Sequence, residues 1–304
     1  MSSTFNPSPE VPPEIENAAL SGELVIFVGA GISRLIRCPS WDGFADKVLD
    51  QLVPAGIDFY ELSQINGITD PKKRLSIAKI VARKKNIAID YESIFQVPLE
   101  ADNVYSYLNS FNSSFVTTNY DKYLTPDSRL ADQEEEWRFF KREQLLRVNL
   151  DRNGNVVHIH GCLDDPDNMV ITTKDYLEHY SSSELQEFLK YLFERKTVLF
   201  LGYGLDEIEV LEYILRRGET AAKPEDDRVR RYILQGFFNA EMALYDLLRD
   251  YYKESFATEL IGFPKDYKNY DHQTEIIASW SKKLKFGDVS LVDEATAMEE
   301  EIRG

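Results

Sequence analysis

Cysteine is nearly missing from this sequence: Cys38 and Cys162 are the only two in 304 residues. Two thiols cannot build a disulfide framework, nor fill a four-cysteine zinc site. Long apolar runs are also missing, and none approaches the roughly 20 residues that a spanning helix needs. The opening stretch, MSSTFNPSPEVPPEIENAAL, sets proline and acid where a secretory leader carries its apolar centre. A reduced, cytoplasmic protein without membrane contact is therefore expected. Basic residues are outnumbered, 35 against 52 acidic ones, for a formal net charge of -17. That balance argues against broad binding of a nucleic-acid backbone, so direct nucleic-acid binding is not expected. A local basic patch stays open at PKKRLSIAKIVARKK, Pro71 to Lys85. Its interleaved Ile, Ala and Val read first as an amphipathic helix with a solvated basic face. No internal repeat is present.

What the sequence does hold is a series of short, almost wholly apolar runs rich in β-branched residues. They are Leu24 to Val28, Ser114 to Thr118, Val156 to Ile159, Met169 to Thr172, Thr197 to Leu201, Arg231 to Gln235 and Thr258 to Ile261. Runs without polar alternation suit strands covered on both faces, as in a parallel sheet. Helix-like segments fall between them, at Gly43 to Leu52, Ser183 to Arg195, Ile208 to Arg217 and Ala240 to Tyr252. The alternation predicts an α/β fold with a doubly wound, mostly parallel sheet. Pro13 and Gly22 bracket a further short helix.

The expected organisation is a flexible arm over 1–13, one domain over 14–286 and an acidic tail over 287–304. Within the domain, a stretch at about 50–112 lacks a strand signal and reads as a helical insertion. Leu124 to Leu150, with its charged run DQEEEWRFFKREQ, reads as a second excursion from the sheet.

Four of the apolar runs end in residues suited to chemistry. The first gives LVIFVGAGIS, in which Gly29, Ala30 and Gly31 precede Ser33. Glycines at a strand end allow a tight turn and the close approach of a ligand, and backbone N–H groups at a helix start suit a phosphate. A tight turn with no ligand explains the same residues. A hydride-transfer enzyme is disfavoured, because Arg34 stands at the third glycine position of G-x-G-x-x-G. Asp46 and Asp50 lie near the right distance for that fingerprint but within a helical pattern.

The second run ends in TTNYD, with Asn119 and Asp121. Open α/β sheets place ligand contacts at such ends, although both side chains can also bond their own backbone. The third is VVHIHG, where His158 and His160 stand two apart and would share one face of a strand. Metal binding, a pair of core histidines, and His160 facing a cleft as an acid or base are the three readings. The fourth is GYGLD, with Gly202 and Gly204.

Taken in order, GAGIS, TTNYD, HIHG and GYGLD resemble the sirtuin family, and more closely the sirtuin-like NAD-cleaving domains of bacterial antiviral defence systems. The resemblance implies a Rossmann-like domain that uses NAD as a substrate and needs no metal. Gly29, Ala30, Gly31 and Ser33 would cradle the NAD diphosphate, helped by Gly202 and Gly204. Asn119 would hold the nicotinamide ribose and a water, Asp121 would sit near the carboxamide, and His160 would act on the ribose hydroxyls. We place Trp41 over the nicotinamide pocket. Deacylating sirtuins carry a four-cysteine zinc ribbon after the HG pair, where this chain has only Cys162. Their G-I-P-D-F-R loop is replaced here by RCPSWDGF.

The resemblance thus implies an NAD glycohydrolase that depletes NAD in antiphage defence. It also implies self-association, or a partner such as a HerA-type ATPase or an Argonaute-like protein. Two alternatives stay open: a non-catalytic sensor or scaffold for NAD or ADP-ribose, and an NAD-dependent protein deacylase or ADP-ribosyltransferase.

Overall fold

A computed structural model describes residues 5–54, 56–126, 139–140, 142–203 and 230–285. The strands among them are β1 (Leu24–Val28), β2 (Ser114–Thr117), β3 (Phe139–Phe140), β4 (Val156–His158), β5 (Thr197–Leu201), β6 (Arg231–Phe237) and β7 (Thr258–Pro264). They form one sheet in the order β3-β4-β2-β1-β5-β6-β7. Every pairing is parallel. The chain starts in the middle, moves out along one side through β2 and β4, then returns to build the other side. That is a doubly wound, Rossmann-like α/β fold, and its turning point lies beside β1.

Six of the seven expected strands are present, within a few residues of their expected bounds. The exception is Met169 to Thr172, which is not a strand. A short 3-10 turn, Pro166–Asn168, leads into an irregular segment there. Its backbone is satisfied elsewhere: Val170 N–H donates to the His160 carbonyl at 2.9 Å. Tyr120 Oη donates to the Val170 carbonyl at 2.5 Å, and Asp175 accepts from the N–H groups of Ile171 and Thr172. The segment is apolar because Met169, Val170 and Ile171 are buried, not because they pair in a ladder. Conversely, β3 falls inside the charged run, where the sequence shows no strand pattern. Its two residues pair with Val156 and Val157.

The helices, numbered among the described residues, begin with α1 (Pro13–Ser21), α2 (Ala30–Leu35), α3 (Trp41–Leu52) and α4 (Phe59–Asn66). Next come α5 (Pro71–Lys85), α6 (Tyr91–Phe95), α7 (Val104–Leu108) and α8 (Thr173–Tyr180). The last are α9 (Ser183–Arg195), α10 (Met242–Phe256) and α11 (Asp271–Leu284). None is long and apolar enough to cross a membrane. The helix expected at Ile208 to Arg217 and the acidic tail lie outside the described residues.

Alternation along β1 sends its side chains to two layers. Leu24, Ile26 and Val28 join Leu108, Ile277 and Trp280, under α7 and α11. Val25 and Phe27 join Phe188, Leu192 and Tyr252, under α9 and α10. A third cluster is helical: Phe44, Val48 and Leu49 meet Leu75, Ala78, Ile94 and Phe95. It closes against Tyr120, Met169 and Ile171, and so caps the sheet where β2 and β4 end. Arg74 ties α3 to α5 by bonding Asp42 and Asp46.

Residues 5–13, within the stretch expected to be a flexible arm, pack against the domain at two points. Phe5 is buried, stacked on Phe237 at 5.7 Å and edge-on to Tyr245 at 5.0 Å. The Pro9 carbonyl accepts from Trp280 Nε1 at 2.7 Å. An aromatic ring and one carbonyl are enough to hold a Pro/Ser-rich segment that cannot form a helix of its own.

Candidate active site

The carboxyl ends of β1, β2 and β4 meet under the helical cap. Asn119, two residues past β2, is the most constrained of the side chains there. Its Nδ2 donates to the Gly29 carbonyl at 3.1 Å and to Ser33 Oγ at 2.8 Å. Its own N–H donates to Thr117 Oγ1 at 3.0 Å. Its carbonyl lies 3.0 Å from His158 Nδ1. With both amide hydrogens used, Oδ1 is fixed in place, and it is buried with no hydrogen-bond partner among the described residues. A buried acceptor of that kind costs free energy unless something binds it.

Asp121 stands behind Asn119. Ser33 Oγ donates to its Oδ2 at 2.6 Å, and Tyr105 Oη donates to its Oδ1 at 3.3 Å. Tyr105 Oη also lies 2.9 Å from Ser33 Oγ. Burial pushes the Asp121 carboxyl above its ordinary range, against the pull of the hydrogen bonds from Ser33, Tyr123 and Tyr105. Tyr105 is pushed well above the usual phenol range, first by burial and then by Asp121. The Ser33 hydroxyl is thus engaged by protein groups on three sides.

His160 lies just past β4, before Gly161 with φ +79°. Its Nε2 is 2.7 Å from Tyr180 Oη on α8. Its Nδ1 is buried with no partner among the described residues. Burial, with His179 adding, holds its pKa well below the usual histidine value, so the ring is neutral at pH 7. His158 takes a different part. It ends β4, bonds the Asn119 carbonyl and is also held neutral by burial, its pKa lowered to about 4. The two rings thus face different partners, His158 the Asn119 carbonyl and His160 the Tyr180 hydroxyl. Among the described residues, no group of three His, Cys, Asp or Glu is placed to hold a metal.

Asn119, Asp121, His160, Ser33 and Ala30 line one cleft. Its other wall is aromatic. Trp41 sits 6.1 Å from Tyr120 and 6.2 Å from Tyr176, centroid to centroid, and Tyr176 sits 5.3 Å from His160. Cys38 also faces the cleft, its thiol pushed up to about 12, chiefly by burial. It is not a nucleophile at neutral pH. The free space is only about 50 Å³, room for a water or two.

The glycines have a structural reason of their own. Gly31 N–H donates to the Gly202 carbonyl at 2.9 Å. A Cβ on Gly31 would lie 2.5 Å from that oxygen, and one on Gly29 would lie 2.8 Å from the Tyr203 ring. The two turns press on each other, so these glycines serve backbone contact between β1 and β5. On the far side of this contact, Gly31, Gly202, Gln235 and Gly236 border a second cavity of about 230 Å³. Gly204 lies outside the described residues.

Tyr105, Tyr176 and Tyr180 belong to the site but carry no strand-end signal. They sit on α7 and α8, and only the folded chain brings them to the sheet.

Residues 113–254 match the family model described as a SIR2-like domain. That range holds Asn119, Asp121, His160 and Gly202, while the Gly29–Ser33 turn precedes it. The chain is also similar to Defense-associated sirtuin 2 of Bacillus subtilis, with 26% identity over 205 residues. The similarity covers 65% of this chain and 19% of that relative, so the chain spans about a fifth of its length. The parallel sheet sets GAGIS, TTNYD and HIHG at neighbouring strand ends, and the two matches make this chain similar to SIR2-like domains, and to a defence-associated sirtuin, without extending over the whole of either chain.

Proposed function

We propose that this chain is an NAD glycohydrolase, converting NAD and water to ADP-ribose, nicotinamide and a proton. The observation that carries the reading is a pair of buried atoms without hydrogen-bond partners among the described residues, Asn119 Oδ1 and His160 Nδ1, on one cleft. An acceptor fixed by its own amide hydrogens suits a ribose hydroxyl or the proton of an attacking water. A neutral imidazole suits the uptake of the proton that hydrolysis releases. Bond cleavage at the anomeric carbon passes through an oxocarbenium-like state, expels nicotinamide as a neutral amine and needs positioning more than it needs a strong acid. Trp41 and Tyr176 would exclude stray water from that carbon.

The cavities on either side of the Gly31–Gly202 contact suit the two ends of a dinucleotide. The nicotinamide end goes to the Asn119 side, and the Gly29–Gly31 turn lies along the diphosphate. The nicotinamide-side cleft is too small for its ring as it stands, so Trp41 or Tyr176 must turn aside on binding.

Antiphage action in the cytoplasm, by NAD depletion, is proposed from the similarity to a defence-associated sirtuin. Action as a homo-oligomer or beside a partner such as a HerA-type ATPase is proposed with it.

The test is incubation of purified protein with NAD and separation of the products by chromatography. Nicotinamide and ADP-ribose in equal amounts are expected. NAD binding with no turnover, alone and with candidate partner chains, would favour a sensor instead.

A further inference from the structure

A groove of about 890 Å³ lies between α5 and the start of α8, apart from the cleft that holds Asn119 and His160. Its volume falls in the range typical of small-molecule sites. One wall is apolar, built from Ile80, Ala82, Ile87 and Ile89. Its rim carries Lys79 and Arg83 from α5 and Lys174 from α8. These three cations line one groove in a chain whose net charge is -17. Lys79 and Arg83 have no ion pair among the described residues, while Lys174 has only the exposed Glu178 at 3.4 Å.

Beside the apolar wall stand Tyr91 and two carboxylates, Asp167 and Asp175. Burial, and then the charges of Asp175 and Asp167, push the Tyr91 phenol up to about 12. Asp175 Oδ2 already accepts from two backbone N–H groups, whereas neither carboxylate oxygen of Asp167 has a hydrogen bond among the described residues, so Asp167 is the less engaged acceptor for a ligand. The groove therefore offers three unlike surfaces at once: cations, a flat apolar wall and a carboxylate.

We infer that this groove is a second binding site, for a purine nucleoside diphosphate. The phosphates meet Lys79, Arg83 and Lys174, with the Arg83 fork suited to two oxygens of one phosphate. The base lies on the isoleucines beside Tyr91, and Asp167 accepts from an N–H of the base. A plain anion would leave the isoleucines and the carboxylate without a purpose. The inference does not rest on the cleavage reaction. It bears on it, because α8 lines the groove with Thr173 and Lys174 and reaches the cleft with Tyr176. The same helix holds His160 through Tyr180.

Calorimetric titration of the full chain with ADP and with GDP tests the site. Three proteins are compared: wild type, Lys79→Glu/Arg83→Glu and Asn119→Ala. Both exchanged cations lie toward solvent, and thermal melts check that the double variant stays folded. At least one nucleotide is expected to bind wild type and Asn119→Ala alike, and to bind the double variant about tenfold or more weakly. Inorganic phosphate should compete only at much higher concentration. Failure of both nucleotides to bind would overturn the inference. So would binding that the double variant leaves unchanged, or phosphate competing as well as the nucleotide.

Discussion

The geometry at the site turns on which atoms lack partners. Ser33, Asp121 and Tyr105 satisfy one another and anchor the Asn119 amide, leaving its Oδ1 buried without a hydrogen-bond partner among the described residues. Tyr105→Phe removes one hydroxyl from this network and leaves the raised Asp121 carboxyl with fewer donors. A loss of about 1–2 kcal/mol of stability is expected, read as a fall of roughly 2–6 °C in melting temperature. An unchanged melting temperature would mean that the hydroxyl contributes nothing to the network. Asn119, Asp121 and His160 were legible in the sequence because they follow apolar runs, where parallel sheets collect their ligands. Tyr105 was not, because it lies on a short helix whose pattern reports only burial. The Ser33 hydroxyl is legible as a strand-end residue, but its bonds to Tyr105, Asp121 and Asn119 are not, because those partners come from distant parts of the chain.

At the level of elements, strands covered on both faces could be read directly, since an apolar run such as Leu24–Val28 has few other uses. Met169 to Thr172 shows the limit of that rule. A segment buried by a helical cap has the same composition as a strand, and only its hydrogen-bond partners distinguish the two. β3 fails the opposite way, since two residues at the sheet's edge carry too little pattern. The glycine turns were legible as turns, yet their tightest contacts are with each other. Gly202→Ala would meet Ile32 N at 2.6 Å and hold φ at +76°, so it should unfold the protein or cost several kcal/mol. Gly43→Ala, inside α3 and 3.4 Å from Pro39 Cβ, should instead be neutral or stabilise by up to about 1 kcal/mol. Urea denaturation of both variants checks the contrast, and equal midpoints would contradict it.

Across the whole molecule, three buried histidines make folding sensitive to acid. His158 and His179 have pKa values lowered to about 4, and His160 is lowered too, all chiefly by burial. Unfolded histidines titrate near about 6.5. Between that value and about 4 the unfolded chain binds more protons, so stability falls as pH falls through this window. Asp121 and Glu259 act the other way, their raised pKa values favouring the native state toward lower pH, but they are two groups against three. The urea midpoint should therefore be lower at pH 5 than at pH 7, and a midpoint independent of pH would contradict this reading of burial. Doubly wound topology and a Trp41 beside the pocket are legible in the sequence, whereas the contacts that seat the cap, those of Trp41 and Phe44 with Tyr120, are not, because they are long-range. The most direct measurement of the central claim is the rate of NAD consumption by wild type, Asn119→Ala and His160→Ala at matched secondary structure. Release of nicotinamide by wild type, with a loss of about 100-fold or more in each variant, is predicted. Equal cleavage by all three would remove Asn119 and His160 from the reaction.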